Sequence, residues 1–481
     1  MRYLLHILSL ALAFDYASCL SLQKRERPAV LSLDIERKHV ENPIERDRLR
    51  RRSKTVEQTL DNEETLYFCN ITLGTPKQSL RLTIDTGSSD LWCNSPNSQL
   101  CSRRNACRAS GTYDANSSST YQYVSSNFRI SYVDGSQAAG DYVKDTLSIG
   151  GVTIEDFQFG VGYTSTSSEG VLGIGYPINE ALVLRYRVAP YANLPRAMVE
   201  NGLINTMAYS LWLNDLDANT GLILFGGVNT GKFHGKLHTL PIIPRNGTYS
   251  QFDIALTGFT VTSSGQTKTY NNSGSFPAAA LLDSGSSLTY LPDPVVEGLY
   301  ADLDVTYIPS SGIGVVPCDL AREDIRMNFT FSEPTISVPM DEMVLDVGAG
   351  TLEDGTPTCI LGISPAGDGS VVLGDTFLRS AYVVYDLENN EISLAQTRFN
   401  SSDDNILEIT KGSSGVPSAT EVEDAVTSVV DAAEGGPRIG GPTGTGSLPS
   451  ASTDLAARAV PTMNLMQYAA GAAGAGLLLA L

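Results

Sequence analysis

Two short stretches hold the residue types that acid–base hydrolysis needs. In the first, Leu82-Thr83-Ile84 runs into Asp85-Thr86-Gly87-Ser88-Ser89. In the second, Ala280-Leu281-Leu282 runs into Asp283-Ser284-Gly285-Ser286-Ser287, with the two aspartates 198 residues apart. One Asp-Thr-Gly describes many surface turns. Two copies of apolar-apolar-Asp-[Thr/Ser]-Gly-Ser-Ser in one chain point to two loops that build one site. Two carboxylates held together cannot both ionise cheaply, so such a pair shares a proton. The ionised member takes a proton from a water as it attacks a peptide carbonyl, and the protonated member gives its proton to the carbonyl oxygen. Gly87 and Gly285 let the backbone approach and donate N–H groups. Thr86 and Ser284 hold hydroxyls suited to cross-linking the loops, and Ser88 and Ser286 are placed to donate to the outer carboxylate oxygens. This chemistry calls for no cofactor and no metal.

Other chemistries fit less well. A two-carboxylate glycosidase explains the aspartates but not the repeated Gly-Ser-Ser turns. His234 and His238 lack the Glu of a His-Glu-x-x-His zinc site, and no nucleophile elbow is present for a Ser-His-Asp triad. Gly170-Val171-Leu172-Gly173-Ile174-Gly175 has the wrong glycine order for a dinucleotide fingerprint. A catalytically dead lobe pair that binds peptides is the non-enzymatic alternative, set against two intact aspartates.

The elements that must position the aspartates read as strands. Leu66–Leu73 and Leu80–Ile84, around Gly74-Thr75-Pro76, deliver Asp85. Phe128–Tyr132 and Ala139–Val143 flank Val133-Asp134-Gly135-Ser136, a hairpin with an Asp-Gly tip. Short helices are expected at Leu194–Glu200 and Pro292–Tyr300, and no long helix. The second half repeats the plan: Val171-Leu172-Gly173 ends 88 residues after Asp85, and Val372-Leu373-Gly374 ends 91 residues after Asp283. The expected body is mainly β and bilobal, with lobes over 60–240 and 241–399 and the site between them.

The 481-residue chain has a formal net charge of -20. From Thr55 onward there are 21 Lys/Arg against 46 Asp/Glu, which excludes nucleic acid as a partner. Residues 1–19, with Arg2 ahead of an apolar run, read as a signal peptide. Residues 20–52 are basic and end in Arg50-Arg51-Arg52, as in a propeptide cut near Arg52 by a basic-site processing protease. Residues 400–460, rich in Ser, Thr, Gly and Pro, read as a stalk that does not fold. Residues 461–481 match the hydrophobic end of a lipid-anchor signal, which makes a membrane the expected partner, reached through a lipid, with secretion as the alternative. Six cysteines remain beyond Cys19, an even number that suits three disulfides in a secreted chain. Loop closure favours Cys101–Cys107 and lobe membership favours Cys318–Cys359, leaving Cys69–Cys93. Sequons stand at Asn70, Asn116, Asn246, Asn271, Asn328 and Asn400.

With these residues in place, residues 62–399 resemble the pepsin-like aspartic proteases. The likeness rests on Asp85-Thr86-Gly87-Ser88 with Trp92, on Asp283-Ser284-Gly285-Ser286, and on both apolar-apolar-Gly segments, the second continuing Asp375-Thr376-Phe377-Leu378-Arg379. It implies a bilobal β fold, an extended cleft for protein or peptide substrates, a monomer, and a flap tyrosine at Tyr132 hydrogen-bonded to Trp92. Two positions depart from the family pattern: Ser284 replaces threonine but keeps the hydroxyl, and Val133 replaces the glycine after the flap tyrosine. The signal, basic prosegment, stalk and tail resemble the fungal yapsin-type, lipid-anchored branch, whose members often cut after Lys or Arg. Asp134, beside Gly135 in the flap turn, is the expected partner of a basic P1 side chain. Secreted fungal relatives of broad apolar specificity form the alternative.

Overall fold

The structure is a computed structural model. It describes residues 30–38, 66–103, 106–132, 136–218, 220–270, 274–309, 311–348, 350–351, 354–367, 369–413 and 415–430. The signal segment, the Arg50–Arg52 cluster and residues 431–481 therefore lie outside the described residues, as do Val133, Asp134, Gly135 and Asn271.

Strands dominate, and helices are short. The first eight strands are β1 (Leu31–Lys38), β2 (Leu66–Leu73), β3 (Gln78–Asp85), β4 (Leu91–Asn94), β5 (Gln122–Ser131), β6 (Gln137–Ile149), β7 (Val152–Ser165) and β8 (Gly170–Gly173). Strands β2, β3, β8, β4, β7 and β6 follow one another by hydrogen bonding, and β6 pairs back onto β2, closing a six-strand ring. The ring interior is apolar: Ile71, Leu82, Ile84, Leu91, Phe159 and Leu172 are all buried there. β5 and β6 are the arms of the anticipated hairpin, paired from Gln122↔Lys144 to Ser131↔Gln137 with register shifts between Tyr123 and Phe128.

The same sheet runs on into the second half of the chain. Ala208–Trp212 pairs with both Thr220–Phe225 and Ala381–Asp386, and the latter pairs with Glu391–Gln396. Strands from both lobes thus share one fourteen-stranded sheet, and the boundary drawn at residue 241 is not a break in it. The second lobe adds a five-stranded sheet carrying Asp283 and two four-stranded sheets. The fold is mainly β, with the bilobal pepsin-like architecture. Helices fall at Leu194–Glu200 and Asp293–Asp302, where the sequence placed them.

Two segments read as unstructured are part of the sheet. β1 lies inside the basic prosegment, yet it pairs with Thr220–Phe225 on one side and with β2 on the other. Its Leu-Ser-Leu-Asp-Ile-Glu alternation buries Leu31, Leu33 and Ile35 and exposes the polar residues between them, the period-two pattern of a half-buried strand. The segment from residue 400, expected to be an unfolded stalk, likewise docks onto the strands as far as Val430. Ile406–Glu408 pairs with Gly227–Asn229, Ala419–Glu421 pairs with Leu237–Pro241, and Val430 bridges Ala278. Ile409, Val416 and Val422 are buried, so scattered apolar residues in a polar stretch suffice to dock it.

Cys101–Cys107 and Cys318–Cys359 are disulfides, with Cα–Cα distances of 5.1 and 4.9 Å. Cys69 and Cys93 are not joined: both are free, buried thiols, which corrects the third expected pair. The cause is their placement on β2 and β4, which stand three strands apart either way round the six-strand ring. At about 4.8 Å between neighbouring strands, opposite walls are roughly 10 Å apart, beyond the ~7 Å Cα limit of a disulfide. Burial pushes the Cys69 thiol up to about 12 and the Cys93 thiol higher, so both are inert.

Of the sequons, Asn70, Asn116, Asn246 and Asn400 are exposed. Asn328 is half-buried, and its Nδ2 donates to Thr260 Oγ1 at 3.3 Å and Thr262 Oγ1 at 3.1 Å.

Candidate active site

The two aspartates sit at the ends of parallel strand pairs that repeat in each lobe. β3 pairs in parallel with β8, bringing Asp85 level with Gly173. Ala278–Leu282 pairs in parallel with Val371–Leu373, and the Asp283 N–H donates to Leu373 O at 3.1 Å. This explains the repeated apolar-apolar-Gly segments. A Cβ on Gly173 would sit 2.6 Å from Ser89 N, and one on Gly374 would sit 2.4 Å from Ser286 O. Only glycine lets each strand pass directly behind the aspartate turn.

The turns face each other through reciprocal hydrogen bonds. Thr86 Oγ1 donates to Leu282 O at 3.0 Å and accepts from the Ser284 N–H at 3.0 Å. Ser284 Oγ donates to Ile84 O at 3.1 Å and accepts from the Thr86 N–H at 3.2 Å. All four groups are buried, where a hydrogen bond lost on one side leaves the other unsatisfied. A serine at 284 makes the same bonds as a threonine, because only the hydroxyl takes part.

Each carboxylate is held in the same way. Asp85 Oδ1 accepts from the Gly87 N–H at 2.8 Å, and Asp85 Oδ2 from Ser88 Oγ at 2.7 Å. Asp283 Oδ1 accepts from the Gly285 N–H at 2.9 Å, and Asp283 Oδ2 from Ser286 Oγ at 2.8 Å. A Cβ on Gly87 would stand 2.6 Å from Asp283 Oδ1, so the first loop lies against the second carboxylate. Both aspartates are buried, at 3% and 1% exposure. The site therefore presents two fixed carboxyl groups, each with one N–H and one hydroxyl donor, with little bulk water around them.

One wall is aromatic. Trp92 Nε1 donates to Tyr132 OH at 2.7 Å, and the Tyr132 N–H donates to Ser136 O at 2.8 Å, joining the two arms of the hairpin. Trp92, Phe128, Ile130, Ala138 and Tyr142 form a buried cluster on which Tyr132, Val171 and Leu182 also pack.

Behind this wall lies an acidic knot that the sequence did not announce. Asp90 accepts from Tyr142 OH and Tyr191 OH, both at 2.9 Å, and from the Ala181 N–H at 2.8 Å. Glu180 accepts from the Tyr191 N–H at 3.0 Å and is fully buried. Burial, and then the nearby Asp90 charge, push the Glu180 carboxyl up to about 10, so it carries its proton at neutral pH. Unfolded, the same carboxyl ionises near 4.5. A raised folded value means that the unfolded chain gives up its proton first, so this contribution is complete in acid and falls as pH rises above about 4.5. Glu180→Gln, which mimics the protonated acid, is expected to gain stability over the parent at pH 7 by about 3 kcal/mol and to differ little at pH 4. Melting temperatures of the two proteins across that range test this. An equal shift at both pH values would assign Glu180 another role.

A buried ion pair braces the other lobe. Arg379, fully buried, donates from Nε to Glu342, whose Oε1 accepts from the Leu216 N–H at 2.8 Å. Glu342 ends a 3-10 turn, Met340–Glu342, and Arg379 caps the short helix Asp375–Leu378, which is why spacing along the chain gave no hint of the pair.

A closed six-strand ring, a repeated strand-and-turn in each lobe and two mutually braced carboxylates define an aspartic-type hydrolase of peptide bonds. The chain belongs to the eukaryotic aspartyl protease family, whose pattern matches residues 66–397. It is 60% identical over 481 residues to the probable aspartic-type endopeptidase opsB of Aspergillus oryzae, covering 98% of both chains. It is 61% identical to the protein of the same name from Aspergillus fumigatus over 94% of each. Similarity to yapsin-3 of Saccharomyces cerevisiae is lower, 35% over 75% of this chain and 71% of that one. The protein is an aspartic-type endopeptidase.

Proposed function

We propose that the enzyme is an endopeptidase of broad, apolar-preferring specificity, in which Asp85 and Asp283 together activate the attacking water. The observation that carries this reading is the matched pair of carboxylates, each gripped by a glycine N–H and a serine hydroxyl, beside a cluster of aromatic and aliphatic side chains. A water held between the aspartates loses a proton to the ionised member as it adds to the peptide carbonyl. The other member protonates the carbonyl oxygen, and the tetrahedral intermediate collapses as the leaving amine takes up a proton. Apolar substrate side chains gain by leaving water against Tyr132, Val171 and Leu182, the half-buried side chains that pack on this cluster. Cleavage after Lys or Arg is the competing reading, through Asp134, which lies outside the described residues. Nothing in the described wall pairs with a cation, whereas its apolar surface suits large hydrophobic side chains.

A peptide-library cleavage profile between about pH 3 and 7, with and without pepstatin, tests the proposal. Pepstatin-sensitive cuts between large apolar residues are expected. Cuts confined to sites after Lys or Arg would replace the apolar reading, and no cleavage by folded, processed enzyme would leave a peptide-binding role. Tyr132→Phe is expected to lower kcat/KM about tenfold. It removes the hydroxyl that accepts from the Trp92 indole N–H and loosens the hairpin, a loss of roughly 1–2 kcal/mol. Steady-state kinetics with unchanged melting temperature would show this, and unaltered kinetics would remove Tyr132 from the substrate-closing role.

The ends of the chain support a cell-surface reading. We propose that residues 1–19 direct secretion, that cleavage near Arg52 matures the enzyme, and that the tail beyond residue 461 directs lipid attachment. No helix among the described residues is long and apolar enough to cross a membrane. Release from cells by a phosphoinositide-specific phospholipase would support the lipid. Retention until detergent is added would favour another attachment, and recovery from the medium would favour secretion.

A further inference from the structure

Away from the aspartates, on the outer side of β2 and β3, lies a groove of about 590 Å³. Its lining includes Lys77, Arg81 and Arg108, together with Asn70, Ser79 and Thr153. Three cations around one groove are unexpected on a chain of net charge -20. The pattern is that of an anion site, with amide and hydroxyl groups available for a polar body attached to the anion.

The cations stand on fixed supports. The Arg81 guanidinium stacks over Phe68, its carbon 4.5 Å from the ring centroid, and the ring itself is buried. It forms a long ion pair with Glu36 on β1, Nη2 to Oε2 at 3.9 Å, without a hydrogen bond between them. Arg81 Nε has no hydrogen-bond partner among the described residues. The opposite wall, with Arg108, is tied down at several points. The Cys101–Cys107 disulfide precedes it, the Gly111 N–H donates to Cys107 O at 2.9 Å, and the Arg81 N–H donates to Ser110 O at 2.9 Å. Gly111 adopts φ +76°, and a Cβ there would meet Ser79 O at 2.4 Å, so this loop packs backbone-to-backbone on β3. Ion pairs or hydrogen bonds for the side chains of Lys77 and Arg108 do not occur among the described residues, and both are exposed.

We infer that this groove binds a phosphorylated sugar, with Arg81, Arg108 and Lys77 on the phosphate and Asn70, Ser79 and Thr153 on the sugar hydroxyls. A preorganised guanidinium suits a phosphate's paired oxygens, and the volume exceeds what a bare phosphate fills. The ligand is either a free sugar phosphate or a phosphorylated glycan end. This site is separate from catalysis: Arg81 precedes Asp85 by four residues on β3, about 13 Å along a strand.

The test is isothermal titration of the folded enzyme with glucose 6-phosphate, glucose and inorganic phosphate, at low and moderate salt. Glucose 6-phosphate is expected to bind best and to weaken with salt, with glucose not binding. Arg108→Gln and Lys77→Gln, both at exposed positions, are each expected to weaken glucose 6-phosphate binding about tenfold or more while peptide hydrolysis is unchanged. The titration is repeated on Asn70→Gln, since a glycan at Asn70 would stand on the groove's rim. A glycan array then separates the sources: retention on phosphorylated glycans points to a glycan end, and retention on none, with free sugar phosphate still binding, points to the free compound. Absence of binding in both the parent and Asn70→Gln, or binding unchanged by Arg108→Gln and Lys77→Gln, overturns the inference.

Discussion

Asp85→Asn and Asp283→Asn are each expected to lower kcat/KM for peptide hydrolysis by about 10⁴-fold or more, roughly 5 kcal/mol of transition-state stabilisation. The size follows from the geometry. In the proposed mechanism the two carboxylates share one task, taking a proton from water and giving one to the carbonyl, and an amide does neither. The surrounding contacts largely survive, because an asparagine oxygen still accepts from the Gly87 or Gly285 N–H. The serine bonds from Ser88 and Ser286 to Oδ2 are the ones disturbed. Melting temperatures within a few degrees of the parent, with hydrolysis abolished in both variants, would assign the loss to chemistry. Substantial activity in either variant would exclude the paired-carboxylate mechanism. The double variant is expected to be no worse than either single one, since the pair acts as a unit.

Ending the chain at residue 399 is expected to destabilise the folded domain by about 5 kcal/mol or more, whereas ending it at residue 430 should cost little. The segment between them buries Ile409, Val416 and Val422 at 0%, 7% and 8% exposure. Each such side chain contributes roughly 1.5–3 kcal/mol on burial, offset in part by the entropy of ordering the segment. Its loss also uncovers Val228, Phe233 and Tyr382, on which Ile409 and Val416 pack. Several polar anchors would be lost with it. Lys232 Nζ donates to Ser401 O at 2.8 Å and pairs with Asp404 at 3.1 Å, while Asn229 Nδ2 donates to Asp404 Oδ1 at 2.8 Å. At the far end the Val430 N–H donates to Pro277 O at 2.8 Å, beside the strand that delivers Asp283. A domain of ordinary stability, about 5–15 kcal/mol, would be left marginal. Thermal melts and secretion yield of the two truncated forms check this. Equal melting temperatures would show that the segment only lies on the surface.

The chemistry was legible in the sequence because it is local. Placing a carboxylate at a strand end requires a glycine, a hydroxyl and an apolar run within a few residues, and the chain spells that out twice. The Gly173 and Gly374 segments were legible for the same reason, a backbone crossing that tolerates no Cβ. β1 was legible too, in its strict alternation from Leu31 to Glu36, but the basic composition around it drew the reading toward a solvated prosegment. The docked segment after residue 400 was harder, since Ile409 and Val416 are isolated apolar residues whose burial depends on a groove built by distant strands. The expected Cys69–Cys93 pair rests on elimination alone. Counting cannot reveal that two thiols face each other across a ring of strands.

By itself, then, the sequence determined the reaction class, a candidate pair of aspartates with hydroxyl partners, and a two-lobed β body, because each depends on contacts within one turn or one strand. Tertiary structure alone decided which cysteines meet and that the segment from Ile406 to Val430 docks onto the strands. It also decided that Glu180 is buried beside Asp90, that Arg379 finds Glu342, and that Lys77, Arg81 and Arg108 converge on one groove. These depend on closure of the sheet, which brings together residues far apart in the chain and removes water from some of them. Proximity and desolvation, the two quantities that set disulfide pairing, ion pairing and proton affinity, have no local signature in a sequence.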